Sequence, residues 1–135
     1  NRLEQVLARA EWRDPDIHEG LLLDRDGHVV SATAANLFVL HAGRWLTPDL
    51  GECGVAGVCR AWAAASLGAG VARILPADVE RADAVFVCNA VRGILPVTRL
   101  GDRNWSPHPD VTALQRRLSG EHPAFAASAP ASEFP

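Results

Sequence analysis

The spacing of apolar residues changes several times along the chain, and each change marks an element. Leu3, Val6, Leu7 and Ala10 recur at i, i+3, i+4 and i+7, so NRLEQVLARAEWR is expected to be an amphipathic helix ended by Asp14-Pro15-Asp16. In GLLLDRDGHVVSA two apolar runs flank Asp26-Gly27, the pattern of a β-hairpin. Leu37 to Leu40 and Arg44 to Leu46 repeat that pattern about Ala42-Gly43. Helical spacing returns in GVCRAWAAASLG, where Val58, Ala61, Trp62 and Ala65 share a face and Gly68 provides the stop. Gly70 with Val71 to Leu75 reads as a strand, and PADVERA as a short helix with Pro76 near its start. Ala84-Val85-Phe86-Val87-Cys88 is continuously apolar, as expected of a strand covered on both faces, and Ile94 to Arg99 adds one more strand. Asp110 is placed to cap VTALQRRLSG, whose Val111, Leu114 and Leu118 share a face. Mixed elements in this order predict an α/β or α+β domain, a mixed sheet with flanking helices. It is expected to fill residues 1–120, ahead of a mobile Pro- and Ala-rich tail at 121–135.

Composition narrows the function. A chain of 135 residues fits one domain with a real core, and 48% hydrophobic content with mean hydropathy near zero indicates a globular protein. The formal net charge of −3 argues against a general nucleic-acid or membrane-surface binder. No signal peptide opens the chain and no apolar run is long enough to cross a membrane. Cys53, Cys59 and Cys88 are odd in number and lack metal-type spacing, which suggests a reducing compartment and, with the rest, the cytoplasm. The five His residues show no ligand spacing, so no metal is expected, and G-x-S-x-G, H-E-x-x-H and Walker motifs are missing from the sequence. All 13 cationic residues are Arg. A Lys nucleophile or Schiff base cannot come from this chain.

Two segments carry candidate chemistry. Gly54-Val55-Ala56-Gly57-Val58-Cys59-Arg60 leads two glycines into a helix, whose first-turn N–H groups and dipole can bind phosphate; it also reads as a simple tight turn. Cys88-Asn89-Ala90-Val91-Arg92-Gly93 follows the best strand, where ligands of α/β domains collect. There Asn89 could orient a ligand and Arg92 clamp a carboxylate, or Asn89 could cap a turn and leave Arg92 solvated. Gly68-Ala69-Gly70 comes after a helix and before a strand, the reverse of a dinucleotide fingerprint, and is read as a helix stop.

Taken in order, NRLEQVLARAEW, SATAANLF, LTPDL, GVAGVCR and CNAVRGILPV resemble the large domain of the class IV, or fold-type IV, pyridoxal-phosphate enzymes, from Asn1 to about Arg99. That family includes branched-chain and D-amino-acid aminotransferases and 4-amino-4-deoxychorismate lyase. The N-R-L-E-Q-V-L opening, A-A-N-L-F and C-N-A look most like the lyase, which splits aminodeoxychorismate into 4-aminobenzoate and pyruvate for folate synthesis. An aminotransferase is the first alternative, and a non-catalytic assembly domain the second.

The resemblance implies pyridoxal 5'-phosphate as cofactor, a small-molecule substrate, and a homodimer to which Trp62 and the Leu100 to Trp105 region could contribute. Gly57, Val58 and Cys59 would bind the cofactor phosphate through backbone N–H groups, with Ala90 standing where many relatives have a phosphate-binding Thr. Asn89 would face the substrate carboxylate; Arg92 joins it on position alone. Asn36 and Thr47 would brace loops. Ser31 occupies the place of an acid that binds the pyridine nitrogen, five positions before Asn36. A Ser can hydrogen-bond that nitrogen but brings no charge, which weakens the transaminase reading more than the lyase reading. The family's Schiff-base Lys lies just before the stretch matching NRLEQV. The chain is therefore expected to be a C-terminal fragment without a catalytic residue of its own, and inactive alone.

Overall fold

The computed structural model describes residues 2–9, 18–32, 35–50 and 57–122. Among these, nine strands form one sheet: β1 (Arg2–Arg9), β2 (His18–Leu23), β3 (Val29–Ala32), β4 (Asn36–His41), β5 (Arg44–Pro48), β6 (Gly70–Ala72), β7 (Ala84–Asn89), β8 (Gly93–Leu100) and β9 (Arg103–Asn104). The order across it is β3-β2-β1-β8-β7-β4-β5-β6, with β9 against β8. All neighbours are antiparallel except β5 and β6, which run parallel because helix α1 (Val58–Leu67) crosses over between them. Helices α2 (Pro76–Glu80) and α3 (Pro109–Glu121) complete the fold. This is the mixed sheet with flanking helices that the sequence predicts.

Strand alternation sorts the apolar residues into two cores. On β4, Leu37 and Val39 enter one cluster while Phe38 and Leu40 enter the other. On β7, Val85 and Val87 join the first, and Ala84, Phe86 and Cys88 the second. The continuous apolar run of β7 is thus covered on both faces. The first core also takes Leu21, Leu23, Val29 and Ala32 from β2 and β3, so the sheet curls over it, and Val79 of α2 closes it. The second core lies under α1 and α3, which contribute Cys59, Ala63, Val111, Leu114 and Leu118. At its centre Phe38 and Phe86, directly paired across β4 and β7, stack with centroids 4.7 Å apart, and Trp45 meets Phe86 edge-on at 5.2 Å. Such contacts add to simple burial because offset and edge-on rings align their quadrupoles favourably.

The expected first helix is a strand. Residues 2–9 form β1, hydrogen-bonded to β2 on one side and β8 on the other. An interior place in the sheet satisfies the backbone on both edges, and this tertiary pairing outweighs local periodicity. The register with β2 shifts between Leu3 and Val6, so the two are three positions apart across an irregularity and their spacing mimics a helix. Two smaller differences follow similar logic. The strand expected over Val71 to Leu75 stops at Ala72, and α3 is capped by His108 instead of Asp110. The segment 10–17 and the tail beyond His122 lie outside the described residues, as does the helix stop expected at Asp14-Pro15-Asp16.

Candidate functional site

β4 begins where β7 ends. Asn36 pairs with Cys88, so Asn36 and Asn89 lie at the same end of the sheet. A bridge between Ala32 and Ala35 brings the end of β3 there too. β3 carries a register shift opposite Leu22 and Leu23; Val29 and Ala32, three positions apart, then share one core and Ser31 is left half-buried near that end. Thr47, expected to brace a loop, is buried in β5 and donates its hydroxyl to Leu37 O at 2.8 Å, so it braces β5 against β4 instead.

The start of α1 faces this end of the sheet. Its N-cap is Gly57, in extended conformation, and a Cβ built there would meet Asn36 Oδ1 at 2.9 Å. A larger residue at 57 would require the Asn36 side chain or the turn to shift. Gly57 has no side chain to cap the first turn, and that turn contains no acidic residue. The first intrahelical bond runs from Ala61 N–H to Gly57 O, so the N–H groups of Val58, Cys59 and Arg60 precede the helical ladder. Val58 is 84% exposed at the tip of this turn. Next to it opens an apolar cavity of about 140 Å³ lined by Val58, Cys59, Trp62, Ala90, Leu118 and His122.

Three of the expected cofactor-binding residues, Val58, Cys59 and Ala90, therefore line one hollow, with Gly57 at its edge through the chain. Ser31, Asn89 and Arg92 do not line it. In the hairpin between β7 and β8, Asn89 Oδ1 accepts the N–H groups of Val91 at 3.0 Å and Arg92 at 2.7 Å. Its side-chain oxygen thus serves as a turn cap, one of the two readings the sequence allows, and Gly93 with φ +76° closes the hairpin. Arg92 stands exposed on that hairpin. The expectation that the Leu100 to Trp105 region offers apolar surface for a second subunit is not met by its largest residues. Leu100 and Trp105 are buried, and Trp105 Nε1 donates to Ala82 O at 2.8 Å.

The sequence reading missed three features. Cys59, in the first turn of α1, and Cys88, on β7, are both buried in the second core. The influence of Cys88 holds the Cys59 thiol below its ordinary range against the opposing effect of burial, while Cys59 and burial push the Cys88 thiol up. Arg60 lies beside them; its guanidinium donates to Pro48 O at 3.2 Å, and its Nε is buried with no partner among the described residues. Finally, Leu118 and His122 bring the far end of α3 to the cavity, which no local motif announces. The structure also gathers Asp24, Asp26 and His28, but Asp24 Oδ1 accepts the N–H groups of Asp26 and His28, which makes the group the hairpin's own turn network.

Comparison with known proteins identifies the family. The family model for amino-transferase class IV matches residues 1–100. An aminodeoxychorismate lyase of Vibrio harveyi is 34% identical over 125 residues, covering 89% of the chain and 46% of the relative. The crystal structure of 4-amino-4-deoxychorismate lyase from Pseudomonas aeruginosa superposes with a TM-score of 0.72 at 37% identity, over 84% of the chain and 44% of that structure. The branched-chain amino acid aminotransferase of Escherichia coli shares the fold, with a TM-score of 0.67 at 24% identity over 76% of the chain and 37% of that structure. The chain spans less than half the length of each of these relatives.

Proposed function

The chain belongs to the class IV aminotransferase family, and from that premise we propose that the protein carrying it is a pyridoxal-phosphate-dependent 4-amino-4-deoxychorismate lyase. The observation that carries the cofactor assignment is the start of α1: a glycine N-cap held against Asn36, no acid in the first turn, and an adjoining hollow lined by Val58, Cys59 and Ala90. A helix start whose N-cap has no side chain attracts an anion through its first-turn N–H groups and the positive end of the helix dipole. The donor set fits a phosphate monoester.

In this reading Gly57, Val58 and Cys59 bind and orient the cofactor phosphate through their backbones. Ala90 contributes shape without a hydroxyl. Ser31 meets the ring nitrogen with a neutral hydrogen bond, worth about 1 kcal/mol net. When bound, the cofactor supplies an electron-withdrawing ring that acidifies the carbon bearing the substrate's amine. A neutral partner at Ser31 leaves that withdrawal weaker than a carboxylate would, which suits an elimination that discharges the electrons by expelling a leaving group. Arg92, with Asn89 shaping the turn beneath it, presents positive charge toward the substrate carboxylate.

The lyase assignment is supported by two relatives that are lyases by name and 34% and 37% identical over most of the chain, where the Escherichia coli aminotransferase is 24% identical. Residues 1–120 would form the large domain and 121–135 its tail. The Schiff-base Lys would come from sequence before Asn1, since the chain has none. The whole enzyme would be a cytoplasmic homodimer acting in folate synthesis. Pyruvate release from aminodeoxychorismate without an α-keto acid acceptor tests the lyase; acceptor-dependent turnover would assign an aminotransferase. The 135-residue chain alone is expected to be inactive. Borohydride reduction with cofactor should fix no adduct on it except at its N-terminal amine, and an adduct elsewhere would overturn the fragment reading.

A further inference from the structure

We propose that His122 is a further contact for the cofactor phosphate, reaching it from the end of α3 through the hollow beside the start of α1. The inference rests on the cofactor reading above and adds a residue to it. The hollow is about 140 Å³, room for a few waters, so a group seated in it is within reach of all its walls. One wall is the first turn of α1, through Val58 and Cys59; another is the last turn of α3, through Leu118 and His122.

A phosphate monoester brings three strong acceptor oxygens. The N–H groups that precede the helical ladder of α1 serve the oxygens turned toward them. An oxygen turned into the hollow faces Val58, Ala90 and Leu118, whose side chains have no donor, and an acceptor buried without a hydrogen bond is penalised. Cys59 offers only a weak S–H donor, and the Trp62 Nε1–H is turned to Glu121 Oε1 at 3.2 Å. Among the described lining residues, His122 brings the imidazole, which donates one ring N–H when neutral and two when charged. The end of α3 holds it in place. The His122 N–H donates to Leu118 O at 2.8 Å, and its ring meets Trp62 edge-on with centroids 6.4 Å apart. Arg117 Nε donates to Glu121 Oε2 at 2.8 Å, so the carboxylate that holds Trp62 is itself held. Trp62 and Glu121 thus position His122, and tie the last turn of α3 to α1.

The test is a titration of the cofactor-free whole protein carrying this chain, with pyridoxal 5'-phosphate and with pyridoxal, which lacks the phosphate, both followed by absorbance. His122→Ala should weaken pyridoxal 5'-phosphate about tenfold and leave pyridoxal unchanged. His122→Gln, which keeps an N–H donor, should recover part of that loss. His122 is exposed at a helix end, so both variants should unfold in urea as the wild type does. Equal losses for the two ligands, no loss for pyridoxal 5'-phosphate, or no recovery with Gln would each overturn the proposal and leave the cofactor reading standing. A wild-type protein that binds pyridoxal 5'-phosphate no tighter than pyridoxal would sink the phosphate site itself, and this proposal with it.

Discussion

Helices α1 and α3 pack on the same face of the sheet, over the same core, and they begin in opposite ways. α3 opens on His108, whose ring accepts the N–H of Asp110 at 3.1 Å; Pro109 fixes the first helical dihedral, and the Asp110 carboxylate both lies in the first turn and accepts Trp45 Nε1 at 2.9 Å. Every feature there satisfies the helix from within. α1 opens on a glycine with no capping side chain, no acid in its first turn, and Arg60 in its third position. By the rules of helix stability this is the slightly poorer start, costing roughly a few tenths of a kcal/mol relative to a capped one. The same features make it the better anion site. The start of α3 is satisfied by its own side chains, and that of α1 has none of its own to offer.

That contrast can be broken at either helix. The largest expected effect lies in the shared core: Leu114→Ala on α3 removes a buried side chain and should cost about 2–5 kcal/mol in denaturant unfolding, while leaving the cofactor affinity of the folded protein nearly unchanged. Gly57→Val should do the reverse. Its Cβ would press on Asn36 Oδ1, displace the first turn, and weaken pyridoxal-phosphate binding by about tenfold or more, equivalent to about 1.4 kcal/mol, as read by absorbance titration. Its effect on unfolding should be the smaller of the two. His108→Ala should destabilise by about 1 kcal/mol through loss of the cap and leave cofactor binding untouched. Equal losses of cofactor affinity from Gly57→Val and His108→Ala would erase the distinction between the helix starts.

The smallest effect concerns α2, which has a self-satisfied start of the same type as α3. The Asp78 carboxylate accepts the Leu75 N–H at 2.9 Å, and this bond, against a small opposing cost of burial and with help from Arg81, holds its pKa below the ordinary Asp value. A folded pKa below the unfolded one means stability that is present above the unfolded value and lost as pH falls through the folded one. Asp78→Asn should therefore flatten the acid limb of the stability curve below about pH 4 and change little at neutral pH. An unchanged acid limb would remove Asp78 from this role.

The parts of the fold that were legible in the sequence are those where one local rule acts alone. β7 shows as an uninterrupted apolar run because both of its faces are covered, and α1 ends at Gly68 because that residue takes φ +62°. The hairpins about Asp26-Gly27 and Ala42-Gly43 form where their turn residues place them, with Gly27 and Gly43 at positive φ. β1 was misread because Leu3 and Val6 straddle a register shift, and nothing in RLEQVLAR reports the strands on either side. The bare start of α1 could be read from GVAGVCR, but not its contact with Asn36, which depends on β4 and β7 meeting end to end.

The most direct measurement of the claim about α1 is an amide titration. The protein carrying this chain, labelled with ¹⁵N, is titrated with pyridoxal phosphate, and the backbone shifts at the two helix starts are followed together. Saturating shifts at Val58, Cys59 and Arg60, with none at Asp110, Val111 and Thr112, are the expected result. Saturable binding of the cofactor that leaves the amides of Val58 and Cys59 unmoved would contradict it.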